Sequence, residues 1–192
     1  MTPTPHPTPH PTPRPTVTTP AGVARPRPLD PASQRIWDIA ATVTDPEIPV
    51  LTIADLGVLR SARIVNGRVE VSLTPTYSGC PALDAMRADV AAVLGARGYA
   101  SVSVTVVLAP AWTTEWISAA GREKLRRYGI AAPAGHAAPG QTSTPVRLRL
   151  AVPCPRCRSL NTREVSHFGS TACKALYECG SCREPFDYVK VL

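Results

Sequence analysis

Apolar residues recur along this chain with two periods, and the alternation between them outlines a small domain. Ile36, Ile39, Ala40 and Val43 share one face of a helix, and Asp30-Pro31 supplies its start, with Asp as N-cap and Pro at the first helical position. That helix is expected to end near Thr44, because the segment DPEIP, Asp45 to Pro49, puts two prolines within five residues. Leu56 to Val65, Asn66-Gly67 and Arg68 to Thr74 predict a hairpin, since Asn-Gly tolerates the positive φ angles of a type I′ turn. Val69, Val71 and Leu73 alternate with polar residues, and Pro75 ends the run. The loop Thr76 to Pro81 leads into a second helix with Leu83, Met86, Val90, Val93 and Leu94 inward, closing around Gly98. Ser101 to Leu108 alternates as a third strand, and a last helix is expected over Thr114 to Tyr128, anchored by Trp116, Ile117 and Leu125. Helix, strand, strand, helix, strand, helix over residues 30–130 predicts a compact α+β domain with a small mixed sheet.

The flanks follow other rules. Eleven of the 22 prolines fall in the first 31 positions, and residues 2–16 alternate Thr, His and Pro, so residues 1–29 are expected to be a disordered tail. Residues 131–146 are small, Pro/Gly-rich and aperiodic, which predicts a linker. The last piece, 147–192, has too little apolar mass to fold unaided, although Arg147 to Val152 and Phe186 to Val191 alternate like short strands.

Its cysteines supply the staple. Cys154-Pro155-Arg156-Cys157 and Cys179-Gly180-Ser181-Cys182 are two C-x2-C knuckles, a spacing that lets two turns present four thiolates tetrahedrally to one Zn²⁺. Four thiolates close the coordination shell, so a structural zinc ribbon is expected in preference to a catalytic zinc. Cys173 and His167 are further candidate ligands that would change this assignment; Cys173 is otherwise expected to pack under the ribbon, with a thiol facing a client metal site as the alternative.

Cys80 stands alone between Gly79 and Pro81 at the start of the second helix, where backbone N–H groups would lower a thiol's pKa and favour attack or ligation of a soft metal. It could also be a buried, inert cysteine. A Cys/His hydrolase is disfavoured, because His136 in the linker is the one histidine outside the tail and ribbon. Asp45 and Glu47 lie on the proline-stiffened loop and are either turn formers or site carboxylates. Arg122, Lys124, Arg126 and Arg127 crowd the last helix as a solvated face or a dock for an acidic partner.

The net charge of +7 changes meaning once divided by region. The tail holds three Arg and no acid, residues 30–130 are balanced at ten and ten, and the last 62 residues hold eight basic and four acidic groups. Bulk charge therefore argues weakly for a nucleic-acid partner. No apolar run reaches the roughly 18 residues of a membrane span, and no secretion pattern opens the chain, so a cytoplasmic location is expected.

Taken in order, DPEIPVLTIADLGVLR, the hairpin, VEVSLTPTYSGCPALDAMRADV, the third strand and APAWTTEWIS resemble the small domain of iron-sulfur cluster maturation factors of the SufT type, over about residues 32–130. CPRC, FGSTACKALYEC and CREPFDYVKVL resemble the ribbon joined to that domain in the PaaD (PaaJ) family of phenylacetyl-CoA epoxidase subunits. The resemblance implies a bacterial accessory protein of aerobic phenylacetate degradation without catalytic activity of its own. It would assist iron or iron-sulfur assembly for an oxygenase with a diiron subunit and a reductase. It puts the reactive cysteine at Cys80, with Asp45 and Glu47 beside it, and a transient iron or cluster as cargo. One cysteine cannot hold a cluster, which usually takes four thiolates, so a homodimer, a client or Cys173 would complete the shell. Two other classes compete with this one: a ribbon that docks nucleic acid or protein, and a structural or electron-transfer subunit of the oxygenase.

Overall fold

The computed structural model describes residues 27–77, 79–133 and 152–190. Most of the expected tail, most of the expected linker and the strand expected at Arg147 to Val152, apart from Val152, lie outside the described residues.

Helix α1, Pro31–Ala40, starts as its sequence dictates: the Asp30 carboxylate accepts from the Ser33 N–H at 2.8 Å. It ends four residues before the expected Thr44, because the chain turns at Ala41 and Thr44 bridges Thr52. Strands β1, Leu59–Val65, and β2, Arg68–Leu73, form the antiparallel hairpin, with Asn66 at φ 50° and Gly67 at φ 75°. Helix α2, Ala82–Gly95, carries the chain across to β3, Val102–Val106, which lies parallel to β2 as a crossover of this length permits. The sheet order is β1-β2-β3. α1 packs on β1, α2 on β3, and the two helices touch, enclosing a core that includes Ile36, Leu51, Ile53, Val71, Met86, Val90 and Leu94.

The helix expected over Thr114 to Tyr128 is broken. A 3-10 turn, Thr114–Trp116, is followed by extended backbone at Ile117 and Ser118, and α3 runs from Ala119 to Tyr128. Ser118 caps α3 by accepting from the Gly121 N–H at 2.9 Å and donates to Asp55 Oδ1 at 3.1 Å. Its backbone N–H bonds the Asp55 carbonyl at 2.8 Å. Asp55 therefore fastens the loop after α1 to α3, a tie that outweighs continuous helix. Gly57 lies in the same loop at φ +72°, where a Cβ would come within 2.5 Å of Trp116 Cβ, so only glycine permits this approach.

The C-terminal unit is an antiparallel sheet of β4, Thr162–Ser166, β5, Lys174–Cys179, and β6, Pro185–Val189, in the order β4-β5-β6. Its docking on the first unit is not apparent from sequence pattern. Ala131, which the sequence puts at the start of the linker, pairs with β6: its N–H bonds the Asp187 carbonyl at 2.8 Å and its carbonyl accepts from Val189 at 3.0 Å. Val189 joins the main core, so the two units share apolar packing.

Candidate metal sites

The first cluster is the tetrathiolate. Turns after Cys154 and Cys179 bring the knuckles together, with Arg158 and Arg183 at positive φ closing each turn. All four Sγ atoms lie within 4.8 Å of one another; Cys154 and Cys182 are 3.7 Å apart and Cys157 and Cys179 3.5 Å. A tetrahedral ion with Zn–S bonds of about 2.3 Å needs sulfurs about 3.8 Å apart, so the residues fit such an ion closely. The Cys182 backbone N–H, donated to Cys179 Sγ, leads the effects that draw that thiol down to about 6. Neither further candidate belongs to the cluster. His167 Nδ1 pairs with Glu164 Oε1 at 3.2 Å on an exposed surface, and Cys173 points the other way.

The second cluster forms where the two units meet. Cys80, from the loop before α2, faces a cavity of about 10 Å³ shared with Asp45, Glu47, Thr76, Trp112 and Cys173. Cys173 is buried, and its thiol donates to Glu47 Oε2 at 3.9 Å across 126 residues of sequence. Asp45 is buried with Oδ1 accepting from the N–H groups of Glu47 at 2.7 Å and Ile48 at 2.9 Å. Asp45 thus forms the turn and lines the cavity at once, ordering the loop that presents Glu47. Trp112 closes the back wall, its Nε1–H donating to the Leu56 carbonyl at 2.8 Å. Lys190 lines the same cavity, and its backbone N–H bonds the Cys173 carbonyl at 3.0 Å. Among the described residues, the ribbon cysteines are the group of three or more metal-type ligands that closes to coordination distance; the second cluster stays open.

Two segments match known families: residues 33–106 match the iron-sulfur cluster assembly protein family, and residues 138–190 match the PaaD zinc beta ribbon domain. A protein of Escherichia coli K12, provisionally named as a 1,2-phenylacetyl-CoA epoxidase subunit, is 46% identical over 162 residues, which span 84% of this chain and 94% of that one. The chain belongs to the PaaD family. An Fe-S protein maturation auxiliary factor of Porphyromonas gingivalis is 35% identical over 79 residues, 40% of this chain and 74% of its own. Among solved structures, a DUF59 domain of unknown function from Bacillus anthracis aligns at TM-score 0.46 with 26% identity, covering 48% of this chain and 90% of that one.

In this PaaD-family chain, electrostatics reverses one expectation at Cys80. Burial pushes its thiol above the ordinary range, outweighing the Ala82 N–H that favours thiolate, and Glu47, Asp45 and Cys173 add to the effect. The helix-start effect is present, through the first N–H of α2 at Ala82, but the thiol is half-buried beside two carboxylates and they outweigh it. Burial likewise raises Cys173, Asp45 and Glu47. Four acidic groups thus share one cavity: the two carboxylates disfavour ionisation of both thiols and Asp45 that of Glu47, while Lys174 and the Cys173 thiol favour the Glu47 carboxylate.

The basic face of α3 is largely spent internally. Arg122 donates to the carbonyls of Thr114 at 2.6 Å and Pro133 at 2.7 Å, Lys124 pairs with Asp55 at 2.6 Å, and Arg126 and Arg127 share Glu123. No helix among the described residues is long and apolar enough to cross a membrane. The sequence marks neither Trp112 nor Lys190 as a cavity wall; of the places it left open for Cys173, the structure turns the thiol toward Glu47 in the cavity shared with Cys80. The available signal was Cys173 itself, a fifth ribbon cysteine in excess of four-coordinate need.

Proposed function

We propose that this chain is a cytoplasmic accessory protein of a phenylacetyl-CoA epoxidase system that assists iron or iron-sulfur assembly of the oxygenase and does not itself carry out epoxidation. Its partners are the oxygenase and reductase subunits, with metal passed to the former. The observation that carries this reading is the open cluster: Cys80 faces a small cavity with Asp45 and Glu47 in its wall. A carrier must accept metal and then release it, so an incomplete ligand set of thiol and carboxylate suits it better than a closed shell. The tetrathiolate takes a structural Zn²⁺, which supplies folding energy to the ribbon and leaves no position for water or substrate.

The test is to co-express the oxygenase with the wild-type chain, with Cys80→Ala and without the chain, then measure iron in each purified subunit. Iron is expected to fall in the oxygenase in the last two cases. Equal iron in all three would remove the proposed role.

A further inference from the structure

Resting on that reading, we infer that the transferred species is a single ferrous ion held between the two units, with Cys80 and Glu47 from one and Cys173 from the other. The ribbon then contributes a ligand as well as structure.

Several observations converge on this assignment. Cys173 is not needed by the tetrathiolate, whose four sulfurs already match one tetrahedral shell. It is 9% exposed, and its Sγ is directed at Glu47 Oε2, 3.9 Å away, rather than toward the other ribbon cysteines. Cys80 faces the same cavity, so two sulfurs and a carboxylate from three separate segments border one space. The cavity of about 10 Å³ holds about one water-sized body. A single ion fits that space. A cluster would lack two of its four usual thiolates there. Mixed sulfur and oxygen ligands suit Fe²⁺, whose affinity for such sites is modest among first-row metals and permits release. Binding requires no redox step: the ion replaces the thiol protons of Cys80 and Cys173, both protons pass to solvent, and iron remains ferrous.

The joint is also built to hold Cys173 in place. The Lys190 N–H bonds the Cys173 carbonyl at 3.0 Å, Val189 is buried in the main core, and Ala131 is stitched to β6. Zinc in the ribbon therefore acts at a distance, by fixing the sheet that presents Cys173.

The experiment is an anaerobic titration of the zinc-loaded full chain with ferrous ammonium sulfate, measuring bound iron, zinc and acid-labile sulfide. The expected result is one Fe²⁺ per chain without sulfide, with zinc retained. Cys173→Ser should weaken iron binding at least about tenfold and leave zinc bound. Should Cys173→Ser lose its zinc through misfolding, Glu47→Gln, on a half-exposed loop, is read instead, with the same weakening expected. Wild-type affinity in the folded variant, sulfide stoichiometric with iron, or no iron binding would each overturn the inference. The underlying function is tested separately: Cys80→Ala lowering oxygenase iron while Cys173→Ser changes neither binding nor delivery would retain the function and reject the two-unit site.

Discussion

Two cysteine clusters in one small protein follow opposite designs. In the ribbon, four sulfurs from two local turns lie within 4.8 Å, and the geometry is complete. At the joint, Cys80 and Cys173 come from separate units, carboxylates share the cavity, and the ligand set is open. A full set of like ligands holds a fold together, whereas a partial, mixed set at a seam can give up what it binds. Each perturbation below should affect one cluster and spare the other, or reveal that they are coupled.

The largest effect is expected from removing the ribbon metal. Structural zinc contributes on the order of 10–16 kcal/mol in isolated zinc modules, so chelation or Cys179→Ser should unfold β4–β6. Amide hydrogen exchange should then rise across 152–190 while α1, α2 and β1–β3 stay protected. If the ribbon remained protected without metal, the stapling argument would be wrong. Next comes the back wall of the joint. Trp112→Ala leaves a cavity and an unpaired Leu56 carbonyl, and should cost about 3–5 kcal/mol in denaturant unfolding of the first unit, with zinc still bound.

A smaller effect distinguishes the clusters by charge. Asp45 has its pKa raised by burial, so its contribution to stability is present below its unfolded value near 4 and is lost as pH rises through the higher folded value. Asp45→Asn keeps the acceptor for Glu47 and Ile48 and removes the buried charge. It should stabilise the fold at pH 7 by about 0.5–2 kcal/mol, with the gain vanishing below about pH 4. Equal stability curves at both pH values would contradict the buried-charge account.

The smallest expected effect is kinetic. Cys80 and Cys173 are held as thiols at neutral pH by burial, so in the zinc-loaded chain iodoacetamide should label them more slowly than an ordinary cysteine, accelerating as pH rises above 9. Glu47→Gln removes a nearby negative charge that disfavours both thiolates, and labelling at pH 8 should quicken a few-fold. An unchanged rate would place Glu47 electrostatically outside the cluster.

Local chemistry was legible in the sequence, and long-range chemistry was not. The Asp30 cap, the Asn66-Gly67 turn and the paired knuckles each involve residues a few positions apart, so their spacing carries the geometry. The break in the last helix was hidden because it depends on Asp55, 63 residues before Ser118. Cys80 was visible as a candidate, but its electrostatics followed from tertiary burial and carboxylates that overrode a local dipole. Cys173 could be seen as a surplus thiol with a second metal site among its possible places, but without a partner residue. Its meeting with Glu47 spans 126 residues and depends on how β6 docks against Ala131, which composition marks only as linker.

The most direct test of the two-unit site is X-ray absorption at the iron edge of the zinc-loaded chain carrying one equivalent of Fe²⁺. The account predicts a mixed shell of two sulfurs with oxygen ligands and no iron neighbour, and one sulfur fewer in Cys173→Ser. A shell of four sulfurs, an iron–iron vector, or an unchanged spectrum in Cys173→Ser would contradict it.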